Sequence, residues 1–151
     1  MDENIRIAES PRDIAAVKRL FVEYSNWLGV DLCFQGFDEE METFPAIYDF
    51  LLLARVEGKV AGGIGLKDHG DGICEMKRLY VRDIFKGKGL GRKLSTALVA
   101  EAKARGFTRM RLDTLPKLEA AVALYQDMGF VEIPAYYDNP IENVVYLELE
   151  L

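Results

Sequence analysis

The stretch from Cys74 to Arg92 constrains this chain more than any other. An apolar run ending in Leu79-Tyr80-Val81 leads into Lys86-Gly87-Lys88-Gly89-Leu90-Gly91, and Leu90, Leu94, Ala97, Leu98 and Ala102 then recur at helical spacing. The run reads as a strand, the glycines as a loop and the periodic segment as a helix. Glycines at alternate positions permit positive φ and let the backbone approach a ligand closely. A helix start presents unpaired N–H groups and the positive end of the macrodipole. A glycine loop entering it is therefore an anion site, above all for phosphate. Lys86, Lys88, Arg92 and Lys93 crowd this turn in a chain of formal net charge −6. Cations at a helix start oppose the dipole, so a bound polyphosphate is expected to favour them.

Two common phosphate loops fail here. A P-loop needs Ser or Thr after its lysine, and this chain has Gly91-Arg92-Lys93-Leu94. A dinucleotide fingerprint needs a third glycine one residue later than Gly91. Other classes are excluded by composition. The acidic balance argues against a nucleic-acid or anionic-membrane surface. His69 is the single histidine, which disfavours a His-based triad or multi-His metal site. Cys33 and Cys74 have no Cys-x-x-Cys spacing and read as reduced thiols of a cytoplasmic protein. Residues 1–9 do not read as a signal peptide, and no apolar run approaches a membrane span. The 151 residues, half of them hydrophobic, suffice for one self-supporting domain, 1–151.

Along the chain, Ile5–Ala8 reads as a first strand. Ser10-Pro11-Arg12-Asp13 starts a helix that carries Ile14, Val17, Leu20, Phe21 and Tyr24. Val30–Phe37 is irregular, and a second helix is expected from Asp38 to about Tyr48, interrupted or bounded by Pro45. Phe50–Val56 reads as a buried strand and Val60–Leu66 as its return, with Gly62, Gly63 and Gly65 marking a bulge or close approach. Lys67–Gly72 reads as a hairpin loop with His69 as a turn residue. After the central helix, Thr108–Thr114 alternates as a strand, Pro116 opens a helix ending at Gly129, and Phe130–Ile133 and Val144–Leu151 are strands either side of a loop, Pro134–Asn143.

The loop Lys86-Gly87-Lys88-Gly89-Leu90-Gly91 resembles the Arg/Gln-x-x-Gly-x-Gly/Ala loop of the GNAT superfamily of acetyl-CoA-dependent N-acetyltransferases, with Lys86 in place of the usual Arg or Gln. Leu124-Tyr125-Gln126-Asp127-Met128-Gly129-Phe130 resembles that superfamily's Leu-Tyr-x-x-x-Gly-Phe. The element order agrees over almost the whole chain. The resemblance implies a single-domain α/β fold with about seven strands and about four helices. Its mixed sheet is antiparallel in the N-terminal part, with a parallel, splayed pair at the cofactor cleft.

The resemblance also implies the chemistry: transfer of an acetyl group from acetyl-CoA to a primary amine of a small molecule or peptide, by direct attack and without a metal. Backbone N–H groups from Lys86 through Gly87, Lys88, Gly89, Leu90 and Gly91 to Arg92 would cradle the pyrophosphate. The edge Leu79, Tyr80, Val81 would pair with the pantetheine arm. Tyr125 matches the family tyrosine that protonates the leaving thiolate; the other reading is a core aromatic. Glu75 stands where histone-type members carry a catalytic glutamate. Period-two alternation puts it on a face with Lys77, Leu79 and Val81. It is either the base that deprotonates the amine or a partner of Lys77 or Arg78. The acceptor would sit between Trp27–Tyr48 and Pro134–Asn143. There Asp38, Glu39, Glu40 and Glu42 either attract an amine or form a solvated face, and Tyr136, Tyr137 and Asp138 either wall the pocket or cover the core. Cys74 reads as a buried thiol rather than a nucleophile. Homodimers are frequent in the family. The other function open to this fold is non-catalytic acyl-CoA binding or sensing.

Overall fold

The computed structural model describes residues 2–29, 36–139, 141 and 143–151, so Cys33 and Phe34 lie outside the described residues. Seven strands form one sheet: β1 (Glu3–Ile7), β2 (Phe50–Val56), β3 (Lys59–Gly70), β4 (Ile73–Val81), β5 (Arg109–Thr114), β6 (Val131–Glu132) and β7 (Val145–Glu150). Their order is β1-β2-β3-β4-β5-β7-β6. Every neighbouring pair is antiparallel except β4 and β5, which are parallel. Among the described residues four α-helices flank the sheet: α1 (Pro11–Leu28), α2 (Phe37–Glu42), α3 (Leu90–Ala104) and α4 (Glu119–Asp127). This is the mixed architecture that the element order implied.

Ser10 caps α1 by accepting the Asp13 N–H at 3.1 Å, Pro11 sits in its first turn, and Gly29 ends it in the left-handed region. The apolar stripe Ala16, Val17, Leu20 and Phe21 packs on Leu51 and Leu53 of β2. The alternate residues Leu52 and Ala54 point the other way and share a core with Leu90, Leu94, Leu98 and Ala102 of α3. One sheet is thus buried on both faces, as its near-continuous apolar strand predicts.

Three elements differ from expectation. α2 ends at Glu42 rather than near Tyr48, because Phe44, standing before Pro45, is kept out of helical geometry. α4 begins at Glu119, after a turn in which the Leu118 N–H bonds Leu115 O. The hairpin loop shrinks to Asp71 and Gly72, both at positive φ, and β3 continues through His69. Asp68 pairs with Cys74 and Gly70 with Ile73, so His69 is the extra residue of a bulge.

A second bulge decides the site. Gly63 pairs with Tyr80 and Gly65 with Lys77, so two steps along β3 match three along β4. Arg78, at φ +59°, takes up the difference. One added residue exchanges the faces of everything beyond it. Leu79 and Val81 therefore join Cys74 and Met76 on the α3 side, while Tyr80 packs with the α1 cluster. The expectation that Glu75 and Lys77 share a face with Leu79 and Val81 fails for this reason. The strand glycines mark close approach: a Cβ at Gly62 would stand 2.7 Å from the Tyr80 carbonyl, and one at Gly65 2.5 Å from the Tyr48 ring.

Candidate active site

β4 and β5 pair only where Ile73, Cys74 and Glu75 face Arg109, Met110 and Arg111. Beyond Glu75 the strands part and two hollows open. The larger, about 560 Å³, is lined by Leu79, Val81, Phe85, Gly87, Gly89, Gly91 and the α4 residues Ala121 and Leu124. The smaller, about 60 Å³, lies between Met76, Lys77 and Arg78 of β4 and Asp113, Thr114 and Leu115, closed by Leu28, Asn139, Ile141 and Val144. Tyr24 of α1 lines both.

The larger hollow has the form of a phosphate cradle. Gly87 and Gly89 take φ +80° and +77°, where a side chain would strain the turn, and no side chain caps α3. Its first N–H groups and the positive end of its dipole face the loop. Gly91 has ordinary helical φ, and a Cβ there would stand 3.9 Å from Leu79 and Leu124, so this glycine relieves no strain. The loop cations have protein partners as well. Lys86 lies 2.8 Å from Asp83 and over the Trp27 ring, Arg92 pairs with Asp127 at 2.7 Å, and Lys93 with Glu3 at 2.6 Å. Tyr80 turns its ring to Tyr24 and Trp27, at 5.9 and 6.3 Å, so only its backbone belongs to the cleft edge.

The smaller hollow is held by polar side chains. Glu75 is 4 % exposed. It accepts from His69 Nε2 at 2.8 Å and from the Tyr136 hydroxyl at 2.9 Å, and its Oε1 lies 3.9 Å from Lys77 Nζ. Burial alone would raise its pKa. The His69 hydrogen bond, the Lys77 charge and the Tyr136 hydrogen bond outweigh burial and hold it below the usual carboxylate range. Asp113 is the opposite case. Burial raises its pKa and the Glu75 charge adds to that, against the lowering by a hydrogen bond from Tyr137. Two carboxylates in one site thus have their proton affinities pushed apart.

Tyr125 is buried on α4, its ring 5.7 Å from Phe130. Burial first, then Tyr24 and Asp113, raise its pKa, so the phenol keeps its proton at neutral pH. The Cys74 thiol is pushed up to about 12 by burial and by Asp68 and Asp49, which agrees with an inert thiol. The acidic cluster divides. Asp38, Glu39 and Glu42 are exposed, whereas Glu40 is buried, accepts from Arg78 at 3.1 and 2.9 Å, and takes the Tyr48 hydroxyl at 2.6 Å. Among the described residues no group of His, Cys, Asp and Glu could hold a metal ion, and no helix is long and apolar enough to cross a membrane.

Residues 16–130 match the model of the Acetyltransferase (GNAT) family. The chain belongs to this family. An uncharacterised N-acetyltransferase of Schizosaccharomyces pombe is 39% identical, covering 98% of this chain and 94% of its own. A protein named "IAA acetyltransferase" of Azospirillum brasilense is 32% identical over 85% of this chain and 86% of its own. Among solved structures, a Klebsiella pneumoniae protein described as an acyl-CoA N-acyltransferase superposes with TM-score 0.80 at 28% identity, covering 99% and 97% of the two chains. This GNAT member is an acyltransferase, and its family uses acetyl-CoA. A Salmonella typhimurium acetyltransferase solved with acetyl-CoA shares the fold at TM-score 0.76 and 22% identity, over 98% and 93% of the chains.

Sequence reasoning missed Asp113, His69 and the Arg78–Glu40 pair in this acetyltransferase. Asp113 reads as one polar position of an alternating strand, and nothing local marks it. Only the parting of β4 from β5 puts it in a pocket.

Proposed function

We propose that this enzyme transfers an acetyl group from acetyl-CoA to the primary amine of a small molecule, both substrates being bound together. The observation that carries this reading is Asp113: a half-buried carboxylate of raised proton affinity, lining a narrow pocket that shares Tyr24 with the cleft beside the glycine loop. The loop from Lys86 to Arg92 holds the pyrophosphate through its N–H groups, and the unpaired edge Leu79–Val81 receives the pantetheine arm.

An alkylammonium cannot attack, so a carboxylate of raised proton affinity must take its proton. Asp113 fills that role. Glu75, which the sequence put forward as the base, acts behind it: held ionised by His69 and Tyr136, its charge raises the proton affinity of Asp113. Asp113 passes the ammonium proton to solvent before attack. As the N–C bond forms and the C–S bond breaks it takes the second nitrogen proton, Tyr125 gives one to the departing sulfur, and exchange with solvent restores both side chains. Holding two reactants in attack geometry supplies at least about 7 kcal/mol of the rate enhancement.

Thiol release from acetyl-CoA is the test, run across pH with amines, amino acids, polyamines and short lysine peptides. Amine-dependent release that falls by about a hundredfold or more in Asp113→Asn and in Tyr125→Phe supports the assignment. Release that survives Asp113→Asn moves the base elsewhere, Glu75 first. Binding of acetyl-CoA with no release for any acceptor replaces the transferase with the acyl-CoA-binding reading.

A further inference from the structure

Lys77 has no assigned part in the reaction above, yet it is the least satisfied charge in the pocket. Its side chain is 13% exposed, and its ion-pair partner, Glu75 Oε1, stands 3.9 Å away, beyond hydrogen-bond reach. Both Glu75 oxygens are already taken, Oε1 by His69 and Oε2 by Tyr136. Among the described residues no acceptor lies within hydrogen-bond distance of the Lys77 ammonium. A half-buried ammonium with three donors and no side-chain acceptor can take a ligand's carboxylate without giving up a protein partner. The neighbouring cation differs: Arg78 gives two hydrogen bonds to Glu40.

We infer that Lys77 is the docking point for a carboxylate on the acceptor, and that the acceptor is a free amino acid. The inference rests on the transferase reading above. The pocket presents one ammonium at Lys77 and one carboxylate at Asp113, a pattern complementary to a zwitterion, and Lys77 acts electrostatically on both Asp113 and Glu75. Its 60 Å³ holds about four water-sized groups at ~15 Å³ each, close to the size of an amino-acid head. Leu28, Leu115, Ile141 and Val144 leave apolar wall for a side chain. The same ammonium repels a polyamine, whose second cation would lie where the carboxylate goes, so one residue both attracts the substrate and rejects its commonest competitor.

The experiment compares free amino acids with their carboxamides, which keep the size and the amine but lose the negative charge. Thiol release is measured at saturating acetyl-CoA for wild type, Lys77→Met and Lys77→Arg. A charge-assisted contact gives wild type a kcat/KM preference of about ten- to a hundredfold for the free acids. In Lys77→Met that ratio falls to about one through a raised KM for the acids, and in Lys77→Arg it stays above about tenfold. Circular dichroism and melting of each variant separate loss of fold from loss of recognition. Equal use of acids and amides by wild type overturns the inference and leaves the transferase standing, as does a ratio that persists in Lys77→Met. Absence of release with every amine overturns the transferase reading, and this inference with it.

Discussion

Arg78 donates from Nε and Nη2 to the two carboxylate oxygens of Glu40, at 3.1 and 2.9 Å, and so fastens the bulge of β4 to the short helix α2. Both side chains are almost fully buried, at 4% and 3% exposure. The Phe37 ring lies 5.1 Å from the guanidinium, and Tyr48 donates to the same carboxylate. A non-glycine residue at φ +59° carries local strain, so its surroundings must over-determine it. The Glu40 clamp does this, and the bulge it holds is what turns Leu79 and Val81 toward the cleft.

Removing one partner strands the other charge in the interior. Glu40→Ala is expected to cost about 3 kcal/mol of folding stability, because Arg78 loses its bidentate acceptor. The paired change Glu40→Leu with Arg78→Met is expected to cost less than Glu40→Ala alone. Urea denaturation of the three proteins checks both statements. A double variant that loses as much stability as Glu40→Ala, or more, would show that the two side chains do not act as a unit.

A substitution at Gly91 separates stability from cofactor affinity. The residue sits in the first turn of α3 at ordinary helical φ, and a Cβ there would meet Leu124 and Leu79 at 3.9 Å, normal contact distance. Gly91→Ala is therefore expected to stabilise the fold by about 0.5–1 kcal/mol. The same Cβ enters the space beside the glycine loop and is expected to raise the KM for acetyl-CoA roughly tenfold, about 1.4 kcal/mol. Thermal melting and steady-state kinetics read the two effects independently. A higher melting temperature with unchanged KM would remove Gly91 from the cofactor contact.

Most of the fold was legible because its signals are local. Ser10 and Pro11 announce a helix, Leu51–Leu53 a buried strand, and Gly87 and Gly89 the loop that only positive φ can make. The site was less legible because it depends on breaks in local order. Arg78 carries no mark of a residue at positive φ, and without its bulge the period-two rule puts Glu75 beside Leu79. His69 looks like a loop residue in sequence because Asp and Gly surround it. The turn itself needs only Asp71 and Gly72, and the extra residue before it lets His69 reach Glu75. Asp113 has no meaning until β4 and β5 separate, a long-range event that no window of sequence contains.

Acid stability should depend on Asp13. This residue, 6% exposed at its side chain, pairs with Arg55 at 2.8 Å and Arg6 at 3.1 Å. The Arg55 hydrogen bond, then the Arg55 and Arg6 charges, hold its pKa below the usual range despite burial. The folded state therefore binds this proton more weakly than the unfolded chain. The stability involved is fully present above the unfolded value, about 3.9, and is lost as pH falls toward the lowered native value. Asp13→Asn is expected to cost about 3 kcal/mol near pH 7, where it leaves the half-buried Arg55 without its carboxylate. Urea midpoints of the two proteins should converge as pH drops below about 4. A constant difference down to pH 2 would assign the loss to packing rather than to charge.

Glu75 and Asp113 make opposite demands on pH, and one substitution exposes the link between them. Asp113 accepts a proton only when ionised, so kcat/KM should fall as pH drops through its raised pKa. The Glu75 charge contributes to that elevation. Glu75→Gln removes a negative neighbour while the Lys77 charge still acts on Asp113, and the change favours the ionised form. The acid limb of the profile is therefore expected to move to lower pH in Glu75→Gln, and the limb itself should disappear in Asp113→Asn along with most of the activity. Profiles of kcat/KM for the three proteins, taken at saturating acetyl-CoA, decide the matter. If Glu75→Gln abolishes the limb and Asp113→Asn retains it, the proton goes to Glu75, and Asp113 is the neighbour that tunes it.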